Sequence, residues 1–253
     1  MEDASQAQLP SSNISNFSLS DAYRIALEIK EIREGKKEKA LGIKVGFTNK
    51  TIWDKYSVNA PIFGFMYSST VLNNDQSFVP EKFLEPKFEP EIFFRLSKKP
   101  LSEMSDMDLI SCCNSFGIGV ELVQSIYEGW VFTLPDTVAG FGLHGQYKIL
   151  REMAIPSDQI ARLELINDLK NFHLTLGKNN TVLEQGNSEN ILEESPLAAL
   201  RSYTKFCEKN SDWLVLNGPI TTGTITDAYD INKDDIFSFE LDRLVKKKFV
   251  VKF

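Results

Sequence analysis

The sequence predicts an α+β fold, in which a helical N-terminal region leads into a large, irregular, curled β-structure with a few helices packed on it. An amphipathic helical pattern stands near the start, and from residue 87 short alternating apolar segments dominate, interrupted by helical stretches. At 253 residues the chain is long enough for one large domain, or for a core with a smaller lobe attached. It divides into a flexible tail over 1–17, a helical lobe with pocket-lining segments over 18–86, and a β-rich core over 87–253, lobe and core forming one unit.

The elements follow in order. The opening "MEDASQAQLPSSNISN" is polar, without the basic start and apolar core of a secretion signal, and is expected as a tail. Ser18 and Asp21 form a capping-box variant ahead of a stripe of Ala22, Ile25, Ala26, Ile29 and Ile32, and Gly35 is a natural stop. "LGIKVGFT" (41–48) reads as a strand, "NKTIWDKY" (49–56) as a helical turn and "PIFGFMYSSTVL" (61–72) as strand and loop lining a pocket. "SDMDLISCCNSFG" (105–117) suits a helix capped by Ser105 and closed by Gly117, and "IGVELVQS" (118–125) alternates as a strand. "LKNFHLTL" and "TVLEQ" (169–176 and 181–185) flank "GKNN" as a hairpin. "SPLAALRSYTKFCEKN" (195–210) is a helix with a Ser cap and Pro at its first position, and the remainder returns to strands. Lys246, Lys247 and Lys248 are expected in a solvated hairpin turn.

Composition narrows the function. A net charge of −7 and a pI near 5.1 leave too little basic excess for a nucleic-acid surface. No apolar run approaches the roughly 20 residues of a membrane helix. Cys112, Cys113 and Cys207 are odd in number, two adjacent, without zinc-ligand spacing, which fits a reducing, cytoplasmic setting.

The chemistry gathers around "FEPEIFF" (88–94). On a strand, Glu89 and Glu91 point to one face and Phe88, Pro90, Ile92 and Phe94 to the other. Glu121 is a third acid inside an apolar strand. Three converging carboxylates repel one another strongly. Either a hard divalent cation, Mg²⁺ first with Mn²⁺ as a substitute, resolves that conflict, or the acids pair with Lys or Arg at a sheet margin. Lys44, between Ile43 and Val45, is either a lysine tuned for proton transfer or one whose stem packs while its ammonium reaches water. His144, in the glycine-rich "GFGLHG" (140–145), is a candidate pocket residue or a loop histidine satisfied by backbone; His173 reads as surface or packing. "TTGTIT" (221–226), including Thr224, is either an oxygen-binding loop or a threonine-rich turn.

Together, "IKVGFTNKTIW", "PKFEPEIFF", "GVELVQS", "DTVAGFGLHG", "SPLAAL" and "TTGT", in this order and at these separations, resemble the 2-oxopent-4-enoate hydratase and 4-oxalocrotonate decarboxylase branch of the fumarylacetoacetate hydrolase superfamily, over roughly residues 18–253. The resemblance implies a mixed β-roll with an N-terminal helical lobe, and Mg²⁺ or Mn²⁺ held by Glu89, Glu91 and Glu121. It also implies Lys44 in proton transfer, and substrate contacts from Ser68, His144 and Thr224. The implied reaction is hydration of a small 2-oxo or 2-hydroxydienoic acid through an enolate. The alternatives are decarboxylation of a related 2-oxo diacid, C–C hydrolysis of an acylpyruvate, or a weakly active partner subunit. A homo-oligomer, or a complex with a related enzyme, is expected. The chain departs from the pattern in three places: Ser68 stands where many relatives carry an acid, Gln124-Ser125-Ile126 replaces Asp-Ser-Arg, and Leu143-His144 replaces serines.

Overall fold

The computed structural model describes residues 5–73 and 75–253. Residues 1–4 of the expected tail lie outside the described residues. The rest of that segment has definite structure: Pro10–Asn13 form a short helix, α1, and the Ala7 amide donates to the Ile126 carbonyl. It is anchored by Asp136, a fully buried carboxylate in the helix α5 (Leu134–Ala139). That carboxylate accepts from the Ser11 amide and hydroxyl at 2.9 and 2.7 Å, and from the Thr133 amide and hydroxyl at 2.9 and 2.6 Å.

In chain order the elements are α2 (Leu19–Gly35), β1 (Ala40–Gly46), α3 (Trp53–Tyr56), β2 (Ile62–Tyr67), β3 (Val71–Leu72), β4 (Lys87–Leu96), α4 (Asp106–Ile110), β5 (Cys113–Val123), α5 (Leu134–Ala139) and β6 (His144–Ala154). Then come α6 (Gln159–Asn171), β7 (His173–Lys178), β8 (Thr181–Asn187), α7 (Pro196–Lys209), β9 (Ile220–Thr224), β10 (Tyr229–Asp230), β11 (Ile236–Leu241) and β12 (Val245–Lys252). The Ser18–Asp21 capping box starts α2 as expected, but the stripe is rotated. Ala22 and Ala26 are buried while Ile32 is 59% exposed, because Tyr23 turns inward to meet Phe206 and Trp213.

Three boundaries differ from the sequence reading. The helix expected over 105–117 stops at Ile110, because Cys113–Gly117 pair with β4 on one side and, from Ser115, with β6 on the other, and that pairing overrides local helix preference. Residues 169–171 end α6 instead of opening a strand. The β7–β8 turn is Asn179-Asn180, both with positive φ, as a tight hairpin requires. Lys246–Lys248 lie on β12, exposed, just past the turn.

The strands form two sheets. The larger has the order β2-β1-β9-β4-β5-β6-β3, with β10 pairing β4; the smaller has the order β12-β11-β7-β8. Strands of the 18–86 segment thus share a sheet with the core strands, and one buried apolar cluster runs from Ala22 to Val251. The sheets meet through Phe88, whose ring stacks on Phe237 at 4.2 Å. Phe88, Ile92 and Phe94 are fully buried on that face, which leaves the other face of β4 to Glu89, Glu91 and Phe93.

Replacing Asp136 with alanine strands four donors at the seam between the N-terminal segment and α5, and is expected to cost about 2–4 kcal/mol in urea unfolding at pH 7. Burial pulls this carboxyl's pKa up, but hydrogen bonds from Thr133 and Ser11 outweigh it and hold it below the ordinary range. Its contribution is therefore present above the unfolded carboxylate pKa and lost as pH falls through the lower folded value. The difference between parent and variant should shrink in acid.

Candidate metal centre and active-site cleft

The acidic cluster follows from strand register. Glu89 is directly opposite Glu121 across the β4–β5 pair, and Glu91 is opposite Gly119, so all three carboxylates project from one face. One oxygen of each lies within 4.8 Å of the others. Glu121 is fully buried, Glu91 is 1% exposed and Glu89 is half-buried. At this range and an effective dielectric constant near 20, each like-charged pair repels by about 3 kcal/mol.

Two cationic or hydrogen-bonding groups answer Glu121. Lys44 reaches in from β1, buried, with Nζ 3.2 Å from Oε2. His144, at the start of β6, places Nδ1 2.7 Å from Oε1, and its Nε2 lies 2.9 Å from Thr70 Oγ1. Glu91 has no such partner: both its oxygens are buried without a hydrogen bond, and Glu121 Oε2 is near Lys44 but outside hydrogen-bond geometry. With all groups ionised and the histidine neutral, three carboxylates against one ammonium leave a charge of −3 + 1 = −2.

The titration behaviour follows the same geometry. Burial, helped by the Glu121 charge and opposed by Lys44, pushes Glu89 up to about 7. Burial and the charges of Glu121 and Glu89 push Glu91 well above the carboxylate range. Glu121 is held below its ordinary value: burial raises it, but the Lys44 ammonium and the His144 hydrogen bond prevail. Lys44 is raised, since its burial is outweighed by the three surrounding carboxylates. An all-oxygen donor set, a −2 imbalance and a buried carboxylate without partners suit a hard divalent cation.

In front of the cluster opens a narrow cleft, with Lys44, Glu89 and Glu91 at its inner end. Its walls carry Phe47, Thr48, Asn49, Ile52, Tyr56 and Trp130. Tyr56 stacks against Phe132 at 5.7 Å and meets Trp130 at 6.2 Å, forming an aromatic rim. Gly223 is required here: its φ is +82°, and a Cβ on it would lie 2.0 Å from Thr48 Oγ1.

The structure thus brings together Glu89, Glu91, Glu121 and Lys44. Thr224 stands in the cleft wall beside Gly223, with its hydroxyl donated at 3.1 Å to the Thr226 carbonyl. His144 is adjacent but lies behind Glu121 and does not line the cleft. Ser68 is elsewhere. Strand β2 ends at Tyr67, which puts Ser68 in the following turn, exposed, its hydroxyl accepting from the Lys39 amide at 3.1 Å. Thr70 and the aromatic rim escaped the sequence reading. Tyr56 was legible only as part of a helical turn, and Thr70 has no signature apart from its distance to His144.

No family model matches the chain. It is 28% identical to 2-hydroxypent-2,4-dienoate hydratase of Pseudomonas putida over 173 residues, 68% of this chain and 74% of that protein. It is 27% identical to 4-oxalocrotonate decarboxylase of Pseudomonas putida over 221 residues, 87% of this chain and 80% of that one. Among solved structures, 4-oxalocrotonate decarboxylase from Pseudomonas putida G7, complexed with magnesium and adipate, superimposes with a TM-score of 0.83 at 23% identity, covering 98% of this chain and 90% of that one. The fold is the curled mixed sheet of that structure and of fumarylacetoacetate hydrolase family proteins among the solved structures. By sequence, the chain is a homologue of the hydratases and 4-oxalocrotonate decarboxylases, as the motifs predicted.

Protons and a cation compete for Glu89 and Glu91, whose raised pKa values keep the protons on to higher pH. Mg²⁺ is therefore expected to raise the thermal midpoint more at pH 8 than at pH 6, as differential scanning fluorimetry can check.

Proposed function

We propose that this chain is a divalent-metal-dependent lyase of the hydratase type, acting on a small 2-oxo or 2-hydroxydienoic acid through an enolate. The observation that carries the reading is the buried trio of Glu89, Glu91 and Glu121, with Glu91 unpartnered and Lys44 alongside. The homology to dienoate hydratases supports the same chemistry.

Glu89, Glu91 and Glu121 would hold Mg²⁺ or Mn²⁺. When bound, such an ion supplies Lewis acidity to the adjacent oxygens of a 2-oxo acid. The protein's own groups do the rest. Lys44 Nζ holds a proton at the inner end of the cleft, where it can be passed to substrate carbon. The Gly223–Thr224 wall brings backbone close to a bound carboxylate. Phe47, Ile52, Tyr56 and Trp130 surround the outer part of the substrate and limit water there.

The cleft favours a monoacid. Among its described lining residues Lys44 is the only cation, so a second carboxylate at the outer end meets aromatic walls. Lys55 and Lys87, near the mouth, are paired with Asp227 and Asp230. Decarboxylation of a diacid is thereby the weaker reading. Hydrolysis of an acylpyruvate is weaker too: His144, the histidine considered as its base, has both ring nitrogens engaged away from the cleft.

Incubation with a short 2-hydroxydienoic acid and Mg²⁺ should give a hydroxy-oxo acid; two carboxylic fragments would point to hydrolysis instead. Glu91→Gln should abolish both Mn²⁺ binding and turnover. Lys44→Met should keep Mn²⁺ binding and lower kcat by about 10²–10⁴. Metal binding by the parent chain without turnover of any dienoate would identify a weakly active partner subunit.

A further inference from the structure

Among the described residues, six buried side-chain polar atoms lack a hydrogen-bond partner, and five of them crowd around one carboxylate. They are both oxygens of Glu91, Oε2 of Glu121, and the hydroxyls of Tyr147 and Thr221; the sixth, Trp213 Nε1, lies apart. Buried hydroxyls without partners are uncommon, and two beside an unpartnered carboxylate call for a reason.

The register of the sheet explains how they meet. Glu91 faces Gly119 across β4–β5, and a Cβ built on Gly119 would lie 2.1 Å from the Tyr147 hydroxyl. The phenol therefore occupies the space that a side chain opposite Glu91 would fill. Tyr147 comes from β6, where it is the register partner of Glu121, and is fully buried. Phe93 packs edge-on against its ring at 6.2 Å, and Met66 shares the same small apolar cluster, so the ring is fixed. Thr221 approaches from the other side, on β9, paired with Phe93, and its hydroxyl lies beside Glu91. Neither residue lines the cleft, so neither is placed to touch substrate.

We propose that Tyr147 and Thr221 are positioning residues, whose hydroxyls donate to the Glu91 carboxylate and hold it turned toward Glu89 and Glu121 for cation binding. A carboxylate that presents one oxygen to a cation in a buried site needs donors for its remaining lone pairs, and such outer partners orient the ligand. A tyrosine and a threonine supply them without adding charge to a cluster already out of balance. The proposal rests on the metal reading of the three glutamates.

The test measures Mn²⁺ binding by calorimetry on the full chain and on Tyr147→Phe, Thr221→Val and Thr221→Ser, together with the thermal midpoint of each without metal. Tyr147→Phe and Thr221→Val should each weaken Mn²⁺ binding about tenfold or more. Thr221→Ser, which keeps the hydroxyl, should stay near the parent. The metal-free midpoint of Tyr147→Phe should not fall, since the ring packing is kept and only an unpaired hydroxyl is removed. Affinities within twofold of the parent for both hydroxyl deletions would overturn the proposal. If Tyr147→Phe does not fold, the contrast between Thr221→Val and Thr221→Ser decides. A parent chain that binds no Mn²⁺ fails before any variant is compared, and takes the metal reading and this proposal down together.

Discussion

Three carboxylates share one buried face with a single ammonium, and that imbalance organises everything around them. Strand register puts Glu89, Glu91 and Glu121 on one face of β4 and β5, where one oxygen of each lies within 4.8 Å of the others. Lys44 offsets the charge of Glu121 and His144 hydrogen-bonds one of its oxygens, so the remaining negative charge falls on Glu89 and Glu91 at the inner end of the cleft. Without a cation, burial and this mutual repulsion favour the protonated form of those two groups and raise their pKa values.

The scaffold serves this arrangement by separating two jobs. One face of β4 is apolar and locks the large sheet to the small one through Phe88 and Phe237; the other face carries the acids. Small residues then set what can approach. Gly119 admits the Tyr147 phenol next to Glu91, and Gly223, at positive φ, admits Thr48 to the cleft wall. The aromatic rim of Tyr56, Trp130 and Phe132 makes the outer cleft apolar, in contrast to its charged floor.

What was legible in the sequence was whatever depended on local period. Alternation along "FEPEIFF" put Glu89 and Glu91 on one face, and an acid inside the apolar strand of Glu121 pointed to the same place. Lys44 stood out as a charge between Ile43 and Val45, and the caps at Ser18 and Ser195 located two helices. Features set by long-range pairing were not legible. The helix expected to Gly117 gave way at Ile110 because the following residues pair with two strands at once. Ser68 was expected at the site, yet its direction depends on where β2 ends, and that is decided by pairing with β1. The rotated face of α2 depends on Tyr23 meeting Trp213, and the hydroxyls of Thr70, Tyr147 and Thr221 acquire meaning only through register.

The most direct test is anomalous diffraction from a crystal of the chain soaked in Mn²⁺. The account predicts one strong peak within coordination distance of an oxygen from each of Glu89, Glu91 and Glu121. A saturating soak with no peak there, and Lys44 still bridging to Glu121, would contradict it.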